Sequence, residues 1–169
     1  MKTKLQKKIT ETFEQLNEIL SSFSESELNI APYKGSWTAG QVVQHLIMAS
    51  SGFPEMCSGP TEKTSRKPDE KVKDIEALFL DFSIKMEAAE FIMPQDIEYN
   101  KNSLTLSLQK IEDELLHISE TYDLTLTCLS FEIPTFGKFT IYEWVNFTLI
   151  HIQRHIKQLN AIFRAVTNK

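Results

Sequence analysis

The chain is poor in cysteine, glycine and proline: its 169 residues include 2 Cys, 5 Gly and 6 Pro. Two cysteines, Cys57 and Cys128, exclude a disulfide framework and a cysteine-rich zinc site, and they suit a reduced, cytoplasmic setting. Lacking Cys-x-x-Cys spacing, they read as small hydrophobes. So little Gly and Pro argues against a β-rich, turn-dense fold. There is no run of 18 apolar residues, which excludes an ordinary membrane span. Met1-Lys2-Thr3-Lys4 leads into Gln6, Lys7, Lys8 and Glu11 without an apolar stretch, so no signal peptide is visible. Basic clusters are missing too. With a net charge of -5, binding to nucleic acid by general electrostatic attraction is not expected. There is no Gly-rich phosphate loop and no Gly-x-Ser-x-Gly nucleophile elbow.

What is present is a composition, 41% hydrophobic and 24% charged, that can build one core in one domain over residues 1–169. Leu5, Ile9, Phe13, Leu16, Leu20 and Phe23 recur at spacings of three and four, predicting a helix from about Lys4 to Phe23. Ser24 to Glu27 ends it or starts a short turn. Thr38 with Gln41 fits a capping box, opening a second helix whose apolar face carries Val42, His45, Leu46, Ala49 and Phe53. Residues Pro54 to Lys73 read as an exposed loop whose basic residues are neutralised locally by Asp69 and Glu70. Asp74 to Glu90 reads as a helix with Ile75, Leu78, Phe79, Phe82 and Met86 inward. Pro94 then breaks the chain. Ser103 is placed to cap a long helix with the stripe Leu104, Leu108, Ile111, Leu115 and Ile118. Leu124, Leu126 and Cys128 alternate with threonines, as in a short strand or an extended crossing, and Pro134 with Gly137 makes a turn. Thr140 with Glu143 is a second capping box, opening a final helix to about Val166. Four main helices plus one extra predict an all-α four-helix bundle with long connecting loops.

Four histidines carry the chemistry. His151 and His155 form His-x-x-x-His on the final helix, so both lie on one face, about 6 Å apart along the axis, and can reach one divalent ion. His45 sits in the apolar stripe of the second helix, where a neutral imidazole needs a hydrogen-bond partner or a metal. If those two helices are neighbours, the three complete a site with one position open. The residues alone leave the alternatives standing: His45 as a core histidine bonded to a carbonyl, and His151 and His155 as surface residues. His117 falls off the inward stripe and reads as solvated. Trp144 and Thr148 share a face with His151 and His155 and are candidate site walls. Arg154 and Lys157 are candidates to receive an anionic substrate. Glu143 reads as a cap that could also reach the histidines indirectly.

Ser36-Trp37-Thr38-Ala39-Gly40-Gln41-Val42-Val43-Gln44-His45-Leu46 resembles the first signature of the DinB/YfiT-like superfamily. Gly137 to Trp144, followed by His151-Ile152-Gln153-Arg154-His155, resembles the second, and the helix order agrees over nearly the whole chain. The resemblance implies a bundle of up-down-down-up order and a divalent metal, zinc or nickel, held by His45, His151 and His155. It implies a homodimer and a small-molecule substrate, with no nucleic-acid or membrane partner. The activity it suggests first is a thiol-dependent S-transferase, using a low-molecular-weight thiol such as bacillithiol or mycothiol against a small electrophile. A metal-dependent hydrolase, or a non-catalytic metal-binding protein associated with stress, are the alternatives.

Overall fold

The computed structural model describes residues 1–167. Four long helices form the bundle: α1 (Lys2–Ser22), α3 (Ala39–Ser50), α6 (Lys101–Thr121) and α7 (Ile141–Thr167). Contacts at the helix ends give their directions. The Lys2 ammonium donates to the Glu120 carbonyl at 2.7 Å, and the Lys101 ammonium donates to the Phe23 carbonyl at 2.7 Å, so α1 and α6 are antiparallel. Lys8 donates to Asn146 Oδ1 at 3.1 Å and Phe23 packs edge-on to Phe163, so α1 and α7 are parallel. Gly40, at the start of α3, lies under Tyr99 just before α6 begins, so α3 and α6 start at the same end. The order is therefore up-down-down-up. α1 and α3 each pack against both α6 and α7, which makes α3 and α7 neighbours. Leu16, Phe13, Val42, Leu46, Leu108, Leu115, Val145 and Leu149 fill the centre.

Local chemistry explains most of the boundaries. Thr38 Oγ1 accepts from the Gln41 amide at 3.1 Å, and Gln41 Oε1 accepts from the Thr38 amide at 2.9 Å, so α3 opens on the expected capping box. Thr140 and Glu143 form the same reciprocal pair at the start of α7. Ser24 and Glu27 do so for the short α2 (Glu25–Leu28).

Five expectations are corrected. Asn100, not Ser103, caps α6: its Oδ1 accepts from the Ser103 amide at 3.0 Å. Helix α3 stops at Ser50, and Phe53 is buried instead as the first residue of α4 (Phe53–Ser58), where Pro54 sits in the first turn, the position that tolerates it. The stretch from Pro54 to Lys73 is thus only partly loop, because β1 (Thr61–Lys63) pairs antiparallel with β2 (Leu126–Cys128). The expected Asp74–Glu90 helix is much shorter: α5 spans Val72–Phe79. Asp81 Oδ1 accepts from both the amide and the hydroxyl of Ser83, at 2.9 and 2.6 Å, and this local turn competes with another helical turn. Phe82 is consequently exposed, not inward. After α5 an extended strap runs to a 3₁₀ turn at Glu90–Ile92.

The fifth correction concerns Arg66. Its main partner is not Asp69 or Glu70 but Glu143, 77 residues away. The guanidinium donates to both carboxylate oxygens, at 2.5 and 2.6 Å. The Lys71 amide adds a third bond to Glu143 at 2.9 Å. Glu143 is completely buried, and its bonds to Arg66 and Lys71 fix the loop before α5 onto the first turn of α7. Arg66→Ala leaves that carboxylate buried without its cation, a change that costs about 3 kcal/mol or more. Urea unfolding of the variant should show such a loss; an unchanged midpoint would mean the pair is not holding the loop.

Candidate metal centre

The adjacency of α3 and α7 brings three of the four histidines together. His45 Nε2 lies 3.2 Å from His151 Nε2, and His155 Nε2 lies 3.0 Å from the same atom. The three form a group whose nitrogens all lie within 4.8 Å of one another. His45 and His155 are buried and His151 is half-buried. His117 is exposed on α6, far from them in sequence and packing, as its position off the stripe suggested.

The outward nitrogens are held as firmly as the inward ones. His45 Nδ1 is 3.0 Å from the Ile92 carbonyl, which can only accept, so Nδ1 carries the hydrogen and Nε2 is a bare lone pair. His155 Nδ1 lies 2.7 Å from Gln158 Oε1 and is set the same way. These are the partners that orient a metal-binding imidazole. Protonation does not relieve the crowding. Burial lowers the pKa of His45. Burial, then the neighbouring His155 and His45, hold His151 well below its ordinary value. Burial pushes His155 down to about 4. At neutral pH the site is three uncharged imidazoles aimed at one point.

Such a focus is unfavourable unless something electrophilic occupies it. A proton on His151 Nε2 can serve one neighbour well at a time, whereas a divalent cation serves all three. The spacing fits: nitrogens about 2.0–2.1 Å from a tetrahedral zinc are separated by about 3.3 Å, close to the 3.0 and 3.2 Å observed. Among the described residues no cysteine or carboxylate joins the group.

Aromatic rings wall the histidines. Trp37 packs on His45 at 5.2 Å between centroids. Phe147 stacks on His151 at 6.1 Å, and Phe79 meets it edge-on at 6.0 Å. The expected wall lies elsewhere. Trp144 is two turns before His151, packed on Phe139 and Phe147, with Phe147 between it and the histidines. The Thr148 hydroxyl donates back to the Trp144 carbonyl at 3.2 Å. Arg154 and Lys157 are also engaged otherwise than expected. The guanidinium donates to the carbonyls of Phe79, Asp81 and Ile84, at 2.7, 3.1 and 2.6 Å. Lys157 Nζ sits 3.4 Å above the Phe82 ring. Glu143 is committed to Arg66, Lys71 and Thr140 and does not reach the histidines.

Sequence reasoning overlooked Gln158, Phe147, Phe79 and the Ile92 carbonyl, and quoted Trp37 without giving it a role. Gln158 follows His155 by three residues, a spacing that places the two together on one helix face, so that contact was legible. The Ile92 carbonyl carries no side-chain signal at all.

Comparison with known proteins bears on the family and the fold. A family model described as DinB superfamily matches residues 8–159. Among curated proteins none matches the chain. Among solved structures, YfiT from Bacillus subtilis, described as a probable metal-dependent hydrolase with an unusual four-helix bundle topology, superposes with a TM-score of 0.60 at 19% identity. The match covers 96% of this chain and 86% of that one, and at this identity it concerns the fold.

The hydrogen-bonding pattern fixes the tautomers. Long-range ¹⁵N–¹H spectra of the metal-free protein at neutral pH should show His45 and His155 protonated on Nδ1. Gln158→Leu should shift His155 toward the other tautomer and leave His45 unchanged. Nε2 protonation of both rings in the wild type would contradict the arrangement.

Proposed function

The chain belongs to the DinB superfamily, and we propose that it is a divalent-metal-dependent enzyme whose ion is held by Nε2 of His45, His151 and His155. The observation that carries this reading is the convergence of three neutral imidazole nitrogens whose opposite nitrogens are tied by Ile92 and Gln158. When bound, a divalent ion such as zinc or nickel supplies a Lewis acid that favours the deprotonated form of a protic molecule beside it.

The protein's own part is to position and to exclude. Three protein nitrogens with no fourth partner in the group match the arrangement of catalytic zinc sites, where structural sites are closed by four. His151, the half-buried member, marks the accessible side. Phe79 and Phe147 bound that side, and Trp37 bounds the side of His45, so the surroundings select a small molecule with an apolar body. Arg154, the cation between His151 and His155 in sequence, turns its guanidinium to main-chain carbonyls of Phe79 and Ile84.

Two nucleophiles suit such a site. Water makes the protein a hydrolase, the description given to YfiT. A low-molecular-weight thiol makes it an S-transferase, as the sequence resemblance implies. Both readings use the same three histidines and differ in the molecule on the open face.

Elemental analysis of untagged protein should find about one divalent ion per chain. His45→Ala and His151→Ala should each lose most of it, and His117→Ala should keep it. Equal metal content in all variants would overturn the assignment. With zinc-loaded protein, turnover of p-nitrophenyl acetate in buffer supports the hydrolase. Conjugation of an added thiol to monobromobimane, with release of bromide, faster than the protein-free reaction and lost on chelation supports the transferase. Neither activity with metal bound would leave a metal-binding protein without turnover.

A further inference from the structure

Arg154 lies on α7 between His151 and His155, yet its donors point at the chain that follows α5. The last carbonyls of a helix have no partner within it, and a cation there is favoured by the helix dipole. Arg154 meets this need at the last residue of α5, where Nη1 donates to Phe79, and it holds the chain beyond the helix as well, Nη1 donating to Asp81 and Nη2 to Ile84. Lys157, three residues on, holds the same segment through the Phe82 ring. The segment is otherwise poorly anchored. Phe82, Ile84, Phe91 and Met93 are all exposed, and most of residues 80–91 have no regular structure.

Both ends of this strap touch a metal-binding histidine. At one end the Phe79 ring lies against His151, 6.0 Å between centroids. At the other end the Ile92 carbonyl accepts from His45 Nδ1 at 3.0 Å. The strap thus crosses from α7 to α3 over the histidine group, and Arg154 is its strongest fastening to the bundle.

We propose that Arg154 is a positioning residue for the metal centre, acting on His151 through Phe79 and on His45 through the strap that ends at Ile92. Its expected role as an anion receptor is replaced by this one. Lysine in its place keeps the charge but cannot reach three carbonyls with one planar fork. The inference rests on the metal-binding reading above and adds that metal affinity and strap order are coupled. A cation on Nε2 requires Nδ1 of His45 to keep its hydrogen, which strengthens the bond to Ile92. Ordering of the strap should accordingly follow metal binding.

The test uses the full chain, untagged, as wild type, R154K, K157A and I118A. Zinc affinity is measured by competition with a chromophoric chelator, and amide hydrogen exchange is followed across residues 80–92. R154K should weaken zinc binding about 10-fold or more, the scale on which partners of metal ligands act. It should speed exchange in the strap of the metal-free protein, and K157A should do both to a smaller extent. Zinc should slow strap exchange in the wild type and less so in R154K. I118A, a core truncation near the C-terminus of α6 and away from the strap, should lower the thermal midpoint while leaving zinc affinity within about twofold, which separates positioning from general stability. A strap loosened by R154K with unchanged zinc affinity would overturn the coupling. Unchanged exchange would overturn the fastening. If R154K does not fold, K157A carries the same two readouts. Failure of the wild type to bind zinc would overturn the metal reading and this inference with it, and it is seen before any variant is made.

Discussion

Three imidazole nitrogens share one point inside a low-dielectric bundle, and much of the structure follows from keeping them there. Burial holds each imidazole neutral, and for His151 and His155 the neighbouring histidines add to it. Left to itself such a group would repack so that each lone pair found a donor. It is prevented from doing so because His45 and His155 are each fixed at the opposite nitrogen, by Ile92 and Gln158. The site is therefore strained in hydrogen-bonding terms, an arrangement that makes physical sense when a cation takes the place of the missing donors.

The bundle topology meets the demand with few parts. Consecutive main helices α1 and α3 do not pair closely, and each instead spans the gap between α6 and α7. That places α3 beside α7, so one histidine comes from a helix near the start of the chain and two from the last helix. The connections are long because α3 and α6 run the same way, and the chain must return the length of the bundle between them. The return path contains α4, β1, α5 and the strap. It closes over the histidines at Phe79 and Ile92, and it is pinned at its lower end by the buried Arg66–Glu143 pair. Glu143 cannot be exchanged for a simple cap, since the same carboxylate serves the first turn of α7, the Lys71 amide and Arg66 at once.

Those parts of the fold that depend on local patterns were legible in the sequence. Both capping boxes were, and so were the apolar stripes of α1, α6 and α7, the alternation at Leu126–Cys128 and the i, i+4 histidine pair. His45 was legible because an imidazole in an apolar stripe requires an explanation. What escaped detection was set by partners remote in sequence. The apolar periodicity of residues 75–86 continues past Phe79, but the helix ends there, where the Asp81–Ser83 turn follows and Arg154 takes the Phe79 carbonyl. Arg66 looked neutralised by its own loop, whereas Glu143 offers it a buried bidentate partner from 77 residues away. Main-chain acceptors such as Ile92 leave no trace in composition or spacing.

The two sides of the site follow from the same burial. His155 is buried, its imidazole pKa is pushed down to about 4, and the ring is fixed by Gln158. Where the walls are aromatic and partly open, toward His151, Phe79 and Phe147 bring ring faces and edges to the histidine and exclude water without donating a hydrogen bond. Any charge developing near His151 is felt strongly there, because little solvent screens it. Arg154, close by on α7, turns its guanidinium to the carbonyls of Phe79, Asp81 and Ile84. In such surroundings an unpaired charge is costly, so the same aromatic walls that keep the three imidazoles neutral disfavour any other group that cannot share its charge with a partner.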